Sequence, residues 1–346
     1  MRIGLCYDLA ADWAREGLDA EAAAEFDQPE TIDAITSVLA APGHVVERIG
    51  RAQALVRRLA EGARWDLVFN ICEGFSGIGR ESLVPALLDA YGVPYVFSDP
   101  EVLALSLHKA HCKRVVCDAG VPTADFRVLD DPAQFCDLRL PVFVKPVAEG
   151  TGKGIAADSF CRSPQDVSRA VARIVSRFGQ AALAEAWLPG REFTVGIVGA
   201  AASAETIGVM EVDAEAAYGI DLKKNYECVT YTRGSGLAAQ AIGYDGRPRV
   251  TYRLATDPEA RMAGEVALAA WRALGARDGG RVDIRSDALG RPMFLEANPL
   301  AGLHPTDSDL TIAACLAGHD HAWLIGRIMD AACARLGLAW RSPAWR

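Results

Sequence analysis

Short apolar runs alternate with helical patterns in the N-terminal part of the chain, and this alternation constrains the fold most. The runs at residues 3–7, 44–49, 67–71 and 93–97 have the length and composition of strands, and helical segments separate them. Strands that alternate with helices indicate parallel pairing, which predicts a doubly wound α/β domain. The carboxyl ends of its strands would form the ligand-binding edge.

The rest of the chain predicts strands and helices in mixed order. A helix that begins at Lys109 ends before the breaker GVP at residues 120–122, and Ser163 and Asp257 cap two later helices. We therefore divide the chain into an N-terminal α/β domain (1–108), a central subdomain (109–187) and a C-terminal domain (188–346). Strands are expected at residues 124–128, 142–145, 182–185, 192–198, 281–285 and 293–297.

Composition argues against several classes of function. The net charge is −9, so a nucleic-acid partner has no electrostatic support. No apolar run reaches the roughly 18 residues that a membrane span needs, and the N-terminus lacks the features of a signal peptide. The nine cysteines include no C-x-x-C pair, which argues against zinc and fits a reducing cytoplasm. We expect a cytoplasmic protein with small-molecule partners.

Two segments near the C-terminus carry alternating polar side chains: GRVDI (280–284) and FLEANP (294–299). Alternate side chains of a strand share a face, so Arg281 lies beside Asp283, and Glu296 lies beside Asn298. Carboxylate and amide oxygens suit magnesium, which also bridges nucleotide phosphates. We predict a magnesium site at Asp283, Glu296 and Asn298. Two edge strands with solvated polar faces are the alternative interpretation.

A lysine ends an apolar strand and precedes a glycine-rich loop in VFVKPVAEGTGKG (142–154). Glycines let backbone N–H groups approach phosphate oxygens closely. Lys145 would add a positive charge there, and Thr151 a hydroxyl donor. The spacing is not that of a Walker A loop, and a flexible hairpin turn is the alternative.

The segment AEAWLPGREFT (184–194) has the pattern of a strand, a Pro-Gly turn and a second strand. Its Glu185 and Glu192 could hydrogen-bond an adenine and a ribose, although a plain hairpin explains the same pattern. For the remaining lysines a solvated face is the default interpretation. These are Lys109, Lys113, Lys223 and Lys224.

These clusters occur in the order found in the ATP-grasp superfamily, and they resemble those of D-alanine–D-alanine ligases. The resemblance runs from about residue 66 to about residue 330. It implies an ATP-grasp fold, in which the N-terminal α/β domain is followed by two α+β domains that clasp ATP between antiparallel sheets. The matching stretches are VPY (93–95), ALSLHK (104–109), VFVKPVAEGTGKG (142–154), REFT (191–194), GRVD (280–283) and LEANPLAGLHPTDS (295–308).

The resemblance implies roles in ATP binding. Lys109 and Lys145 would contact phosphates, and Lys223 would reach the γ-phosphate. Thr151 stands in a phosphate-covering loop where these ligases usually have serine. The residues expected near the adenine and ribose are Glu185, Ala186, Trp187, Leu188 and Glu192.

The resemblance also implies catalytic and substrate-binding roles. Arg281 would stabilise a tetrahedral intermediate, while Gly302 and Ser308 would hold the carboxylate of the second substrate. Two Mg²⁺ ions, with Mn²⁺ as an alternative, would be bound by Asp283, Glu296 and Asn298.

Three departures from the family pattern fall on the substrate side. The family's N-terminal glutamate, which binds the amino group of the first substrate, has no counterpart between Tyr7 and Asp12. Glu73-Gly74 replaces a His-Gly pair, and Lys224 replaces a tyrosine. A carboxylate at Glu73 favours a cationic group on the substrate, and Lys224 favours an anionic or acceptor group. Exposed loop residues, with Asp8 serving as the acid instead, are the alternative.

The activity that the resemblance implies is ATP-dependent ligation of a carboxylate to an amine through an acyl phosphate, in a homodimer acting on amino-acid-like substrates. An amide ligase of secondary metabolism would use the same site with other amino acids. A non-catalytic nucleotide-binding protein could keep the fold without the reaction. A dehydrogenase is discounted, because no G-x-G-x-x-G follows the first strand.

Overall fold

The computed structural model describes residues 1–18, 22–150, 152–214, 226–233, 237–243 and 248–340. Three residues with roles implied by the resemblance lie outside the described residues: Thr151, Lys223 and Lys224. Among the described residues, no helix combines the length and the apolar character needed to cross a membrane.

Strands and helices are numbered along the described chain. The strands are β1 Arg2–Cys6, β2 Val45–Arg48, β3 Leu67–Asn70, β4 Phe126–Leu129, β5 Val142–Pro146, β6 Phe160–Cys161, β7 Ala182–Ala186, β8 Glu192–Val198, β9 Glu205–Ala214, β10 Tyr226–Arg233, β11 Leu237–Gly243, β12 Pro248–Leu254, β13 Gly279–Ser286 and β14 Pro292–Asn298. The α-helices are α1 Ala10–Arg15, α2 Pro29–Ala40, α3 Ala52–Ala60, α4 Leu83–Ala90, α5 Pro100–Leu107, α6 Lys109–Asp118, α7 Pro164–Phe178, α8 Pro258–Ala273, α9 Asp309–Leu316 and α10 His321–Leu336. Short 3₁₀ helices occur at Ala22–Glu25, Arg80–Ser82, Ala157–Ser159 and Ala201–Ser203.

Three sheets organise the described chain. The N-terminal sheet is parallel with strand order β2-β1-β3, as the strand–helix alternation predicts. A four-stranded sheet has order β4-β7-β5-β6, and a seven-stranded sheet has order β10-β11-β12-β9-β8-β13-β14. Both of these sheets are antiparallel. This arrangement is the α/β architecture with two antiparallel sheets that the resemblance implies.

The structure confirms two predicted helix caps and contradicts one predicted strand. The predicted caps are confirmed, because the Ser163 side chain accepts from the Asp166 N–H and Asp257 accepts from the N–H groups of Glu259 and Ala260. The predicted strand at residues 93–97 is wrong. In that stretch Tyr95 forms only an isolated parallel bridge to Val68, so the pairing does not extend into a ladder.

The core of the N-terminal sheet continues into the C-terminal helices. Apolar side chains of β1 and β3, such as Leu5 and Phe69, belong to one buried cluster with Ile325 and Met329 of α10. Burial of such side chains stabilises the fold by about 1.5–3 kcal/mol each. The N-terminal sheet is thereby fixed against the part of the chain that carries β13 and β14.

A buried carboxylate makes the same connection by polar contacts. Asp278 is fully buried at the start of β13 and accepts hydrogen bonds from Arg335 Nε at 2.9 Å and from the Phe97 N–H at 2.8 Å. Both Asp278 and Phe97 have positive φ, at 69° and 78°. These left-handed conformations are held by the hydrogen bonds that join the three segments.

Replacing Asp278 by alanine is expected to lower the free energy of unfolding by about 3–5 kcal/mol, because Arg335 then loses its buried partner. Urea denaturation monitored by circular dichroism measures the change. Asp33→Ala is the matched control, since its ion pair with Arg48 is exposed and its loss is expected to change stability by less than about 1 kcal/mol. Equal effects of the two substitutions would contradict the structural role of Asp278.

Candidate active site

The two antiparallel sheets enclose a cavity of about 150 Å³, here called the sheet cleft. The four-stranded sheet contributes Lys145 at the end of β5 and Trp187 just after β7. The seven-stranded sheet contributes Asp283 from β13 and Glu296 from β14. The described residues predicted for ATP binding therefore line one cavity with Asp283 and Glu296, two of the three predicted metal ligands.

A buried glutamate between two lysines fixes the charged end of the sheet cleft. Glu185 lies 2.7 Å from Lys113 Nζ and 2.8 Å from Lys145 Nζ through its two oxygens. Burial would raise the pKa of Glu185, but the two lysines outweigh it and lower the pKa. Burial would lower the pKa of Lys145, but Glu185 and Glu296 raise it. Lys145 therefore keeps its positive charge in a buried site.

Lys113 and Lys109 do not lie on a solvated face, so the default interpretation of these two lysines is wrong. Lys113 is fully buried and also donates to Thr123 Oγ1 at 2.5 Å. Lys109 Nζ lies 3.4 Å from Glu296 and donates to the carbonyl oxygen of Glu149 at 2.5 Å. Apolar spacing along α6 gives no sign of this burial, which depends on the carboxylates of distant strands.

The other end of the sheet cleft is aromatic and more apolar. Trp187 packs edge-on against Phe160 at 4.9 Å, and the Arg285 guanidinium lies over the Trp187 ring at 4.6 Å. Arg285 also donates to Glu192 at 2.9 Å. Leu188 completes this surface together with Ala186. A planar base could stack here.

Two backbone groups expected to bond the adenine are engaged within the protein. The Ala186 N–H donates to Asp125 O at 2.8 Å, and the Trp187 N–H donates to Pro141 O at 3.2 Å. The carboxylate of Glu185 is likewise occupied by its two lysines. Adenine recognition by this segment stays a prediction, and it must use groups other than these.

The predicted metal ligands lie on neighbouring strands. Asp283 is opposite Glu296 and Arg281 is opposite Asn298 in the β13–β14 register. Asn298 Nδ2 is 3.4 Å from Asp283 Oδ2, an oxygen that also pairs with Arg281. Thr194 Oγ1 donates to Asp283 Oδ1 at 2.8 Å. The contact between Asn298 and Asp283 confirms the predicted proximity of these two side chains. Glu296, the third predicted ligand, is the cross-strand neighbour of Asp283.

This donor set fits magnesium by its chemistry. It offers two carboxylates and an amide, all hard oxygen ligands, and Mg²⁺ typically takes one or two protein carboxylates together with phosphates and waters. No group of three or more His, Cys, Asp or Glu side chains able to hold a metal occurs in the described ranges.

A second cavity of about 70 Å³, here called the acidic cavity, adjoins the sheet cleft. Carboxylates of the N-terminal domain line one side, and Arg281, Asn298 and Gly302 line the other. A Cβ on Gly302 would lie 2.8 Å from Ser308 Oγ, so a larger residue here would displace the Ser308 hydroxyl. Ser308 precedes α9, and its Oγ accepts from the His304 N–H at 2.8 Å.

The acidic cavity holds residues that sequence reasoning missed. Glu73 lines it as proposed, but so do Glu25 and Glu81. The family's N-terminal glutamate is expected between Tyr7 and Asp12, whereas Glu25 lies after the short helix α1 and just ahead of α2. A glutamate close before the first long helix, rather than close after the first strand, is the signal that could have located it.

The acids of this cavity influence one another's pKa values. Burial raises the pKa of Glu73 well above its ordinary value, and the charges of Glu81 and Glu25 raise it further. Burial raises the pKa of Glu81 to about 7, although Arg80 opposes the shift. The pKa of Glu25 is lowered, because Arg80 and Lys153 outweigh its burial.

Several known proteins are similar to this chain in sequence. The family model for the D-ala D-ala ligase C-terminus matches residues 116–330. Protein y4sG of Sinorhizobium fredii is 33% identical over 77% of this chain and 74% of its own length. The D-alanine–D-alanine ligase of Acidiphilium cryptum is 32% identical over 78% of this chain and 81% of its own length.

Solved structures agree in fold. The D-alanine–D-alanine ligase of Bacillus anthracis complexed with ATP has a TM-score of 0.68 at 16% identity and covers 97% of this chain and 98% of its own. The VanG D-Ala:D-Ser ligase of Enterococcus faecalis has a TM-score of 0.70 at 16% identity, covering 96% and 99%.

Fold and site together define an ATP-grasp enzyme, as predicted. The chain belongs to the D-alanine–D-alanine ligase family, and it is an ATP-dependent ligase that forms carbon–nitrogen bonds.

Proposed function

We propose that this enzyme converts the carboxylate of an amino-acid donor into an acyl phosphate and transfers the acyl group to an amine. The observation that carries the proposal is the junction between the two cavities, which share Lys109, Glu149 and Glu296. A nucleotide in the sheet cleft and a donor in the acidic cavity would meet at these residues. Phosphoryl transfer requires such an alignment of the two reactants.

In the first step, an oxygen of the donor carboxylate attacks the γ-phosphorus of ATP and ADP leaves. Lys145 and Lys109 would offset the charge that spreads over the transferring phosphoryl group. Lys145 suits this role because its pairing with Glu185 holds the ammonium in place. Asp283, Glu296 and Asn298 would hold magnesium, with Mn²⁺ as an alternative ion. A metal held there would neutralise part of the charge on the phosphates.

In the second step, the amine nitrogen attacks the acyl carbon, phosphate leaves and the amine loses a proton. Arg281 would stabilise the oxyanion of the tetrahedral adduct, since it lines the acidic cavity beside Asn298. Gly302 and Ser308 would hold the carboxylate of an amino-acid acceptor. The acyl phosphate must be kept from water, and the loop at residues 150–154 is suited to cover it.

Donor specificity is proposed to differ from that of the D-alanine–D-alanine ligases that the chain resembles. The support is the set of acids in the acidic cavity, which includes Glu73 in place of the family's histidine, together with Glu81. The enzyme would still take amino-acid-like substrates, and a homodimer in the cytoplasm is the proposed setting.

The test is phosphate release from ATP with D- and L-amino acids, singly and in pairs, at saturating Mg²⁺. Release is expected to require a donor amino acid and to be slower with D-alanine than with the preferred donor. Robust turnover with D-alanine that Glu73→Gln leaves undiminished would refute the altered specificity. Absence of release with every pair would refute the ligase reaction itself and favour a non-catalytic protein.

A further inference from the structure

Glu25 is already neutralised within the protein. Arg80 Nη2 donates to Glu25 Oε2 at 3.0 Å, and the Gly150 N–H donates to Oε1 at 3.0 Å. The side chains of this ion pair are each only 7% exposed. The other terminal nitrogen of Arg80 donates to the carbonyl oxygen of Ala148 at 3.2 Å, so both terminal nitrogens of the guanidinium form hydrogen bonds within the protein.

Two further carboxylates of the acidic cavity also have cationic partners. Glu149 lies 3.1 Å from Lys153 Nζ and accepts from Gln180 at 2.7 Å. Glu296 lies 3.4 Å from Lys109 Nζ. These acids therefore carry little uncompensated charge toward a bound donor.

Glu73 and Glu81 differ from the other acids of the cavity. Neither has a hydrogen-bond or ion-pair partner among the described residues, although both line the cavity. Arg80, which directly precedes Glu81, directs its hydrogen bonds to Glu25 and Ala148 instead. Two adjacent carboxylates thus face the donor without a bound cation.

The backbone is built to keep these two acids together. Gly74 has a φ of 68°, and a Cβ there would lie 2.6 Å from the carbonyl oxygen of Arg80. The buried Asp8 carboxylate accepts from the Gly74 N–H at 3.0 Å and from Trp13 Nε1 at 3.1 Å. Glu73, which precedes Gly74, and Glu81, which follows Arg80, are therefore held side by side at the carboxyl end of β3.

We infer that the acyl donor is an amino acid with a second cationic group on its side chain, which Glu73 and Glu81 bind. This inference rests on the proposed ligase function, which orients the donor carboxylate toward Lys109 and the γ-phosphate. The α-ammonium of a neutral amino acid supplies one positive charge and leaves a carboxylate facing an apolar side chain, which is costly. A second ammonium group removes that penalty.

The size of the cavity limits the length of the side chain. Its volume of about 70 Å³ is roughly half that of the sheet cleft, and Leu107, Leu300 and Ala301 close its apolar wall. Short diamino acids, such as 2,4-diaminobutyrate and ornithine, fit this space better than arginine.

Selectivity for the acyl donor can be measured separately from selectivity for the acceptor by supplying hydroxylamine as the amine. Its nitrogen attacks the acyl phosphate, phosphate leaves, and a hydroxamate forms that is measured by colour with iron. Each diamino acid is compared with its neutral counterpart, 2,4-diaminobutyrate with 2-aminobutyrate and ornithine with norvaline, as both enantiomers. We expect the better enantiomer of a diamino acid to exceed its counterpart in kcat/KM by about 10- to 100-fold, the range for a hydrogen bond to a charged group.

Glu73→Gln and Glu81→Gln are expected to lower this preference by about 10-fold each, through KM for the diamino acid. Far-UV circular dichroism and thermal unfolding report that both variants fold, and the preference is the ratio of kcat/KM between the diamino acid and its neutral counterpart. Glu101→Gln is the matched control, because Glu101 is exposed in the first turn of α5. An equal fall in kcat with both donors would assign the two acids to the chemistry and overturn the inference.

The preference should also depend on pH. Glu81 faces Glu25, Glu73, Arg80 and Lys109, and its pKa of about 7 means that it gains charge as pH rises through neutrality. Binding of a cation favours the charged form, so kcat/KM for the diamino acid is expected to rise from about pH 6 to about pH 8, and to rise more steeply than kcat/KM for the neutral donor.

The outcomes separate this inference from the ligase function. Hydroxamate formation with a neutral amino acid at least as fast as with its diamino partner would overturn the inference and leave the ligase function standing. This result would mean that Glu73 and Glu81 share a proton and that no cation of the donor pairs with them. No hydroxamate from any amino acid would overturn both. A diamino preference that falls in Glu73→Gln and Glu81→Gln, but not in Glu101→Gln, supports both.

Discussion

Replacement of Lys145 by methionine is expected to lower kcat for ADP release by about 10²–10³-fold, the usual loss when one stabilising charge is removed from a transition state. Lys145 ends β5 in the sheet cleft and lies 2.8 Å from Glu185 and 3.9 Å from Glu296. Methionine keeps the length and apolar stem of the side chain but removes the ammonium. ADP release at saturating ATP and donor measures the effect.

The variant should remain folded, because the structure contains a substitute partner. Glu185 keeps its ion pair with Lys113 at 2.7 Å when Lys145 is replaced, so no buried carboxylate is left without a cation. Lys113→Met is the matched control. It removes the other cation of the same glutamate, one that lies outside the set lining the sheet cleft. A larger loss of turnover in Lys113→Met than in Lys145→Met would contradict the phosphate-binding role of Lys145.

Much of the fold follows from local sequence signals. Capping residues and proline at the first turn locate α7 and α8, and short, mostly apolar runs locate β1, β3 and β5. The sequence analysis did not predict β9 to β12. Apolar and charged residues do alternate in MEVDA (210–214) as they do in a strand, so this signal could have located β9, whereas pairing across the sheet fixes its bounds.

The candidate site was predictable where it depends on a strand period. The positions of Asp283, Glu296 and Asn298 follow from alternation on β13 and β14, which the register confirms. The positions of Glu25 and Glu81 were not predictable in this way. Both lie in short 3₁₀ helices, whose positions depend on contacts such as that of Arg80 with Ala148, 68 residues away.

Buried ion pairs were the least predictable part of the site. Lys113 and Lys145 come from a helix and a strand that are far apart in sequence, and only the folded sheet brings both to Glu185. A lysine in an amphipathic helix is usually solvated, so the local pattern points to the opposite conclusion. Partner choice in such a network is a property of the tertiary structure.

Glu296→Gln is expected to lower kcat by about 10²–10³-fold and to weaken apparent Mg²⁺ affinity by at least about 10-fold. Glutamine has the shape of glutamate but lacks the charge, so the position opposite Asp283 loses a hard anionic ligand. Lys109 and Lys145, at 3.4 and 3.9 Å from the Glu296 carboxylate, would remain to bind the phosphates. Nucleotide affinity in the absence of metal should therefore be unchanged or higher.

A measurement that does not depend on turnover separates a metal ligand from a residue that only shapes the site. Mn²⁺ binding in the presence of a non-hydrolysable ATP analogue, followed by electron paramagnetic resonance, should weaken in Glu296→Gln. Asp287→Asn is the matched control. It removes a carboxylate paired with Arg291 in the turn between β13 and β14, away from both cavities. Wild-type Mn²⁺ affinity in Glu296→Gln, with turnover lost, would assign Glu296 to the alignment of Lys109 and Lys145 rather than to the metal.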